Sequence, residues 1–520
     1  MGRRITDSFG NFIGEIESSA EQLSREGAQG ALVVLLIIGS LAWALIKFLI
    51  SIWWILLLIA VLVGLGFLAA RITKARRRRC FSFDRNLKKI KLHDGFTCIE
   101  QGAFHGCCNL IEIYIPMTVT EIRDSAFSDC SSLLSIDIPV SVRRIGSWSF
   151  MSCSSLTDVT IPEGITEISV STFENCSSLT SIVLPSTVKR IGARAFRKCV
   201  SLQSIEIPES VTEIDASAFD GCSKLSSVKL PSVLRKIHSG AFKNCISLKR
   251  IDIPESVCEI GPNAFCGCTS IEYIKVPDGV STIASYAFAD CNSLSHVELP
   301  QSITTIGDYA FARCSRLMTF NLPVGVIMIG KNPFSGCENL SVLNLSNNPK
   351  YSSGQDNDAI IQISDKKLIT LCQNSGIPSG ISIIGENAIA YNRSLVSATI
   401  PSSVTHIEPG AFYSCRNLQD AQVDEGVKYI GDEAFKDCKQ LTQIDIPASV
   451  TTIGHNAFDG CCALRTINMR PIAPPEINGS CLGNCNLAYV YVRTCSLEAY
   501  KTASGWEKFT WSKVRIIGVL

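Results

Sequence analysis

The chain has 520 residues, a formal net charge of +1 and 46% hydrophobic residues. Its length provides enough apolar material for a large core, and its neutral overall charge excludes nucleic acid as an expected partner. The 24 cysteines are too widely spread for a small disulfide-stabilised scaffold.

The first 80 residues divide by composition into three segments. A polar, slightly acidic tail covers residues 1–30, an apolar segment covers residues 31–70, and a basic linker covers residues 71–80. The apolar segment is longer than the core of a cleavable signal peptide and lies further from the N-terminus. We therefore interpret it as a transmembrane segment.

The apolar segment contains a single charged residue, Lys47. As one straight helix it would be about 60 Å long, twice the roughly 30 Å thickness of the hydrocarbon core of a bilayer. Two arrangements fit: a helical hairpin that turns near Lys47 and Ser51, or a single crossing by residues 49–70 with residues 31–46 in the interface. We favour the hairpin over the single transmembrane helix.

The basic linker indicates which side of the membrane the rest of the chain occupies. It carries six Lys and Arg residues between Arg71 and Arg79, whereas the tail has three arginines among five acidic residues. The positive-inside rule therefore places the linker, and everything that follows it, in the cytoplasm. Residues 31–79 are the expected contact with membrane lipid.

After residue 80, one phrase of 23 residues recurs along the chain. Its phenylalanine stands at Phe104, Phe127, Phe150, Phe173, Phe196, Phe219, Phe242, Phe265, Phe288, Phe311 and Phe334, and the register resumes at Ile389, Phe412, Phe435 and Phe458. With this residue as position 0, Cys stands at +3, Leu or Ile at +6, aliphatic residues at +9, +11 and +15, usually Pro at +12, Ile at +18 and Ala at +22. Self-similarity at this period predicts a repeat solenoid.

The apolar spacing within the phrase predicts a mainly β coil. In LLSIDIP, the residues Leu133, Ile136 and Ile138 have the alternation of a short strand, which Pro139 ends because it cannot donate a ladder hydrogen bond. A second extended piece and a tight turn return the chain to the next Phe. One coil buries too little apolar surface to fold alone, so we expect the coils to stack with their strands in a parallel sheet.

The repeat array is expected to have capped ends and one interruption. Between Phe334 and Ile389, the stretch AIIQISDKKLITL predicts a β-hairpin that protrudes as a spacer or as a recognition arm, and we favour the spacer. At the C-terminus, Trp506 and Trp511 are large enough to cover the last coil. The predicted segments are an N-terminal cap repeat (81–103), repeats (104–346), the inserted hairpin (347–386), further repeats (387–480) and a C-terminal cap (481–520).

Three sequence features together resemble the BspA-type leucine-rich repeat proteins. These are the phrase A-F-x-x-C-x-x-L-x-x-I-x-I-P-x-x-V-x-x-I-G, the interruption after NNPKYS, and the tail SLEAYKTASGWEKF. The resemblance covers residues 81–520 and implies a curved leucine-rich repeat arc used for protein binding, in bacteria often as a surface adhesin and in some protists as a surface protein. Residues 1–80 fall outside it, and their basic flank does not fit a surface location.

Fourteen of the cysteines stand at the +3 position. Stacking would bring successive ones about 5 Å apart, which a disulfide can span. Parallel side chains, however, keep their Cβ atoms further apart than a disulfide prefers, a run of fourteen has no natural pairing, and Asn392 occupies one of the positions. We predict inert cysteines that pack in the interior or bond to a turn, and free thiols of this kind suit a reducing cytosol.

The sequence contains no motif for catalysis or for a cofactor. Its six histidines are scattered, and neither a nucleophile elbow nor a phosphate-binding glycine loop occurs. Cys266 with Cys268, and Cys481 with Cys485, come closest to metal-ligand spacing, but neither pair has a second pair or a nearby histidine. We therefore expect no enzyme activity, no cofactor and no metal.

The variable positions +8 and +10 should point outward from one side of the sheet. Over four consecutive coils they combine Tyr, Arg and His with other charges, residue types that favour protein interfaces. The candidate protein-binding residues are Lys229, Arg250, Asp252, Tyr273, Lys275, His296 and Glu298.

These features predict a membrane-anchored, non-catalytic protein-interaction module or scaffold with its repeats in the cytoplasm. The alternative is an extracellular surface adhesin with its repeats outside the cell. A third possibility is a structural role in which solenoids associate edge to edge. Neither the identity of the partner nor the oligomeric state follows from the sequence.

Overall fold

The computed structural model describes residues 38–55, 59, 61, 81–345, 347–354, 356–479, 481–506 and 514–519. The chain forms two compact units, Met1–Arg79 and Cys80–Leu520.

The first unit contains helix α1 (Ile38–Ile55), which has 18 residues, a mean hydropathy of 1.8 and no buried residues. It is long and apolar enough to cross a membrane. The helix runs through Lys47 and Ser51 without a break, so the turn predicted there is wrong. The Ser51 hydroxyl donates to the Lys47 carbonyl at 3.0 Å, and the Lys47 ammonium lies 3.3 Å from the centre of the Trp43 ring. Both polar side chains are thus satisfied along the helix itself.

The second unit is a solenoid whose coils each contribute to two rows of parallel strands. Row A is formed at positions +8 to +10 of the repeat, where the +9 side chain is buried and its neighbours are exposed because side chains alternate along a strand. Its strands are Lys89–Lys91, Glu112–Tyr114, Ser135–Asp137, Asp158–Thr160, Ser204–Glu206, Ser227–Lys229, Tyr273–Lys275, His296–Glu298, Thr319–Asn321, Val342–Asn344, Ser397–Ile400, Asp420–Val423, Gln443–Ile446, Thr466–Met469, Tyr489–Val492 and Arg515–Gly518.

Row B is formed mainly at positions +17 and +18, after the turn that begins at the repeat proline. Its strands are Cys98–Ile99, Glu121–Ile122, Arg144–Ile145, Glu167–Ile168, Arg190–Ile191, Glu213–Ile214, Lys236–Ile237, Glu259–Ile260, Thr282–Ile283, Thr305–Ile306, Met328–Ile329, Tyr351–Ser352, Ala359–Gln362, Lys367–Leu371, Ile383–Ile384, His406–Ile407, Tyr429–Ile430, Thr452–Ile453 and Glu476–Ile477. Within the repeats, strands pair in parallel with the residue 23 positions further on, as Glu121 does with Arg144. This confirms the predicted solenoid with parallel sheets.

The repeat phenylalanines form a stacked column through the interior. Successive rings lie 4.8–5.7 Å apart, centre to centre, with planes within 11° of parallel. Phe81 extends the column beyond Phe104 at the N-terminal end. Tight turns on both sides of each ring let it point inward, with left-handed residues two positions before and after it, as at Ser125 and Asp129 around Phe127.

The insertion between Phe334 and Ile389 does not protrude. Ala359–Gln362 and Lys367–Leu371 pair antiparallel, and the second strand continues in parallel to Ile383–Ile384, so the hairpin lies within row B. Side chains on both of its faces are buried, including that of Thr370, whereas its turn, residues 363–366, is exposed. Ile360 and Ile369 pack in the core of the preceding coils, whereas Ala359 and Leu368 pack in the core of the coils that follow.

Aromatic side chains cover the C-terminal end of the array. Helix α2 (Leu497–Thr502) follows a 3-10 turn at Thr494–Ser496. Tyr500 in this helix and Trp506 after it are both buried. The Tyr500 hydroxyl donates to the Pro471 carbonyl at 3.0 Å, and the Trp506 indole donates to the Pro475 carbonyl at 2.8 Å. Trp511, the other predicted capping residue, lies outside the described residues.

Candidate protein-binding face

The candidate residues lie on the outer side of row A in four consecutive coils. Lys229, Tyr273, Lys275, His296 and Glu298 flank the buried or half-buried +9 residues of their strands, so they share one side of the row. Arg250 and Asp252 are exposed at the equivalent positions of the coil between them, where the described backbone is irregular instead of forming the expected strand.

Tyr273 is the centre of this face. Its ring stacks on the His296 imidazole with a centre-to-centre distance of 5.7 Å and planes within 8° of parallel. Glu298 Oε1 lies 3.6 Å from Nε2 of this imidazole. A hydrogen bond from the tyrosine hydroxyl to Glu298 raises the pKa of Tyr273. The three side chains therefore form one contacting cluster that spans two coils.

The charged candidate residues are paired across the same surface. Lys275 Nζ lies 2.7 Å from Glu255 Oε1, Arg250 Nε lies 2.9 Å from Asp252 Oδ1, and Lys229 pairs with Glu206. Exposed pairs of this kind contribute only about 0–1 kcal/mol to stability. Because these ion pairs contribute so little to stability, their side chains can pair with charged groups of a bound protein instead.

Sequence reasoning missed exposed apolar side chains on the same side of row A. Val183 is 76% exposed and Tyr114 is 53% exposed, both at the +10 position. The sequence could have indicated them, because each is an apolar residue at the +10 position, which is polar in most other repeats. They extend the apolar part of the face beyond the predicted coils.

A second cluster that the sequence did not indicate lies on the turns around position 0. The Tyr286 and Tyr309 rings stack at 5.1 Å, and the Asn387 amide donates to the Tyr309 hydroxyl at 2.7 Å. Burial raises the pKa of Tyr309 to about 12. Because Asn387 belongs to the coil after the hairpin, this contact links the two parts of the array, and we assign it a structural role.

The +3 cysteines are packed and hydrogen-bonded, as predicted. In each of the fourteen, the thiol donates to the backbone carbonyl of the position 0 residue one coil earlier, at 3.0–3.3 Å. Burial raises the pKa of Cys176 and of Cys415 to about 12, so these thiols stay neutral and unreactive near pH 7. None of the 23 cysteines that the structure describes forms a disulfide.

The cysteine pairs with near-metal spacing face different surroundings. Cys268 belongs to the thiol column, whereas Cys266 packs with Ala289 and Ala312 outside the main core. Cys485 donates to the Phe458 carbonyl at 2.8 Å, and Cys481 is buried in the core of the last coils. Each sulfur thus has a packing role of its own.

The two strand rows and the columns of Phe, Cys and Leu define a leucine-rich repeat solenoid. The sequence model for the BspA type leucine-rich repeat region (6 copies) matches residues 75–201, 166–295, 235–355 and 369–497. The chain belongs to this BspA-type family. A comparison with curated proteins finds no match.

Several solved structures are similar to this chain. A leucine-rich repeat protein from Bacteroides ovatus has 26% sequence identity and a TM-score of 0.44, with 84% of this chain and 93% of that chain covered. A leucine-rich cell surface protein from Faecalibacterium prausnitzii has 27% identity and a TM-score of 0.41, with 74% and 87% covered. A leucine-rich repeat protein from T. pallidum has 31% identity and a TM-score of 0.30, with 36% and 78% covered.

Proposed function

We propose that this protein is a membrane-anchored, non-catalytic leucine-rich repeat protein that binds a protein partner through row A of a cytoplasmic solenoid. The observation that carries the proposal is the surface cluster of the half-buried Tyr273 with the exposed His296 and Glu298, which is held on a sheet and surrounded by readily exchanged ion pairs. Tyrosine together with arginine is the side-chain combination most typical of interface hot spots.

The anchoring part of the proposal is supported by α1 and the segment after it. Lys47 is the one charged residue between Ile38 and Ile55, and six Lys and Arg residues follow the apolar segment between Arg71 and Arg79. Positive charge on this flank favours the cytoplasmic side. The thiols of the repeats, none of which forms a disulfide in the part of the chain that the structure describes, are also suited to a reducing compartment.

Labelling of the exposed cysteines tests the orientation. Cys258, Cys462 and Cys495 are exposed, so a membrane-impermeant maleimide should modify them only after the cells are permeabilised. The triple variant Cys258→Ala, Cys462→Ala, Cys495→Ala is the control for labelling at these sites. Labelling of the wild-type chain in intact cells would instead support the surface adhesin and reject the cytoplasmic orientation.

Site-specific photo-crosslinking of the full chain in its membrane tests the binding face. A photoreactive residue at position 273 should capture a defined partner, whereas one at the exposed Thr282, in row B of the same coil, should not. The double variant Tyr273→Ala, Arg250→Ala should reduce capture from a third row A position at least tenfold without lowering Tm. Equal capture from positions 273 and 282 would show that row A is the wrong face, and a crosslinked dimer of this chain would favour the structural role.

A further inference from the structure

Three metal-ligating side chains converge on row B, away from the binding face. Glu213 and Asp215 come from one coil and His238 from the next. One carboxylate oxygen of Glu213, one of Asp215 and a ring nitrogen of His238 all lie within 4.8 Å of one another. The oxygens nearest to the imidazole are Glu213 Oε2 and Asp215 Oδ1. His238 Nε2 lies 3.8 Å from the first oxygen and 4.0 Å from the second.

The imidazole nitrogen in this cluster is buried without a hydrogen-bond partner among the described residues. Its distances to the two carboxylates are too long for hydrogen bonds, although buried polar atoms nearly always have a partner. Two ligands of one tetrahedral Zn²⁺, each about 2.0–2.2 Å from the metal, are separated by roughly 3.4 Å. His238 Nε2 would therefore have to approach each carboxylate oxygen by about half an ångström, and the two carboxylate oxygens would have to approach each other by at most about 1.4 Å to reach ligand distance.

Two of these residues, Asp215 and His238, depart from the repeat pattern at position +19. Position +19 is glycine at Gly146, Gly192, Gly261, Gly307, Gly330, Gly385, Gly431 and Gly454. A Cβ atom at Gly192 would lie only 2.8 Å from the Ile168 carbonyl oxygen, which explains the preference. Asp215 and His238 replace this glycine in two consecutive coils, and each brings a ligand side chain to the same point.

The surroundings hold the ligands in place. The Asp215 amide donates to the Ile191 carbonyl and the His238 amide donates to the Ile214 carbonyl, both at 3.0 Å, so the two backbones are fixed by the stacking of the coils. Arg190 Nη2 donates to Asp215 Oδ2 at 2.6 Å, and the other carboxylate oxygen, Oδ1, lies in the cluster. Such outer contacts orient metal ligands and are a regular part of metal sites.

We propose that Glu213, Asp215 and His238 form a Zn²⁺ site. The imidazole selects a transition ion over Ca²⁺ and Mg²⁺, and two carboxylates complete a donor set that Zn²⁺ accepts. Three protein ligands leave one coordination position for water or for a side chain of a bound partner. The site could not be read from a sequence motif because its ligands come from neighbouring coils.

Metal titration of the full chain in detergent, after treatment with a chelator, tests this site. Co²⁺ serves as the probe because thiolate ligands give a sulfur-to-metal charge-transfer band, whereas the proposed oxygen and nitrogen ligands do not. We expect one Co²⁺ per chain to bind without this band and to be displaced by Zn²⁺. His238→Ala and the nearly isosteric Asp215→Asn should each weaken binding at least tenfold.

His105→Ala is the matched control, since His105 also has a buried nitrogen without a partner but faces only one carboxylate, Asp129, at 3.6 Å. It should bind Co²⁺ as the unchanged chain does. The proposal is overturned if no metal binds, if binding survives both His238→Ala and Asp215→Asn, if the thiolate band accompanies it, or if Ca²⁺ or Mg²⁺ binds equally well. Far-ultraviolet circular dichroism of each variant ensures that lost binding does not reflect unfolding.

Discussion

The thiol of Cys130 donates a hydrogen bond to the backbone carbonyl of Phe104, 3.1 Å away in the preceding coil. The same carbonyl also accepts the amide hydrogen of Cys107, which closes the turn within that coil. One oxygen thus closes a turn and joins two coils. Repetition of this arrangement explains why the sequence keeps a cysteine at +3 that neither reacts nor forms a disulfide.

Two adjacent cysteines provide a direct test of this role. Cys461 belongs to the thiol column, whereas Cys462 is exposed. Cys461→Ala removes a buried sulfur and its hydrogen bond, so the free energy of unfolding should fall by about 1–2 kcal/mol. Cys462→Ala should change it by less than about 0.5 kcal/mol. Urea unfolding of both variants measures the difference, and equal effects would contradict the packing role.

Asn392 stands at a +3 position where the repeat residue is cysteine, and we expect that it cannot be replaced by cysteine without loss of stability. Asn392 accepts from the backbone amides of Ser394 and Leu395 and donates to the Cys372 carbonyl of the hairpin, which a cysteine cannot do. Asn392→Cys should therefore lower the free energy of unfolding by about 1–3 kcal/mol, although it restores the repeat pattern. Cys415→Asn in the next coil should also be destabilising. A stabilised Asn392→Cys variant in urea unfolding would argue against this account.

The buried thiols make the repeats sensitive to alkaline pH. Burial raises the pKa of Cys176 and Cys415 from 9.0 to about 12, so above pH 9 the unfolded chain loses these protons while the folded chain keeps them. The contribution of these thiols to the free energy of unfolding is fully present below pH 9. It decreases toward pH 12, by up to about 1.4 kcal/mol per pH unit for each such thiol. The urea midpoint should be flat from pH 7.5 to 8.5 and fall between pH 9 and 10. A constant midpoint up to pH 10 would be inconsistent with these thiols staying protonated.

A buried hydrogen bond ties the hairpin to the preceding coil. The Thr370 hydroxyl donates to Asn332 Oδ1 at 2.6 Å, and Asn332 Nδ2 donates to the Asn387 carbonyl at 2.7 Å. Thr370→Val keeps the shape but leaves a buried acceptor without this donor, at a cost of about 1–3 kcal/mol. The exposed Thr157→Val serves as the control and should change stability by less than about 0.5 kcal/mol. Calorimetric unfolding of both variants gives the comparison.

The repeat architecture could be predicted because every coil presents nearly the same environment. The 23-residue period identified the Phe column, the buried +9 positions and the inward cysteines, and parallel stacking then followed from the burial that a single coil lacks. The seven candidate residues were likewise placed by strand alternation alone. Their assignment as the binding face remains a prediction.

The features that could not be predicted from the sequence depend on contacts between coils or on the local backbone conformation. The alternating pattern suggested a hairpin that protrudes from the array, yet neighbouring coils cover both of its faces, so Ile360 and Leu368 are buried in different cores. The stack of Tyr273 on His296 and the cluster around His238 both join residues about one period apart. Lys47 suggested a turn because its charge is costly in lipid, but the Trp43 ring accommodates it within the helix.

The position of the hairpin has a consequence for how the array responds to load. The hairpin contributes Ile360 and Ile369 to the core of the coils before it, and Ala359 and Leu368 to the core of the coils after it. Because coupling in a solenoid passes only between neighbours, cooperativity between the halves is transmitted through the hairpin and the polar contacts that span it, such as the hydrogen bond from Asn332 to the Asn387 carbonyl. When the array is pulled from its two ends, it should first separate between these two cores. Each half should then unfold independently of the other.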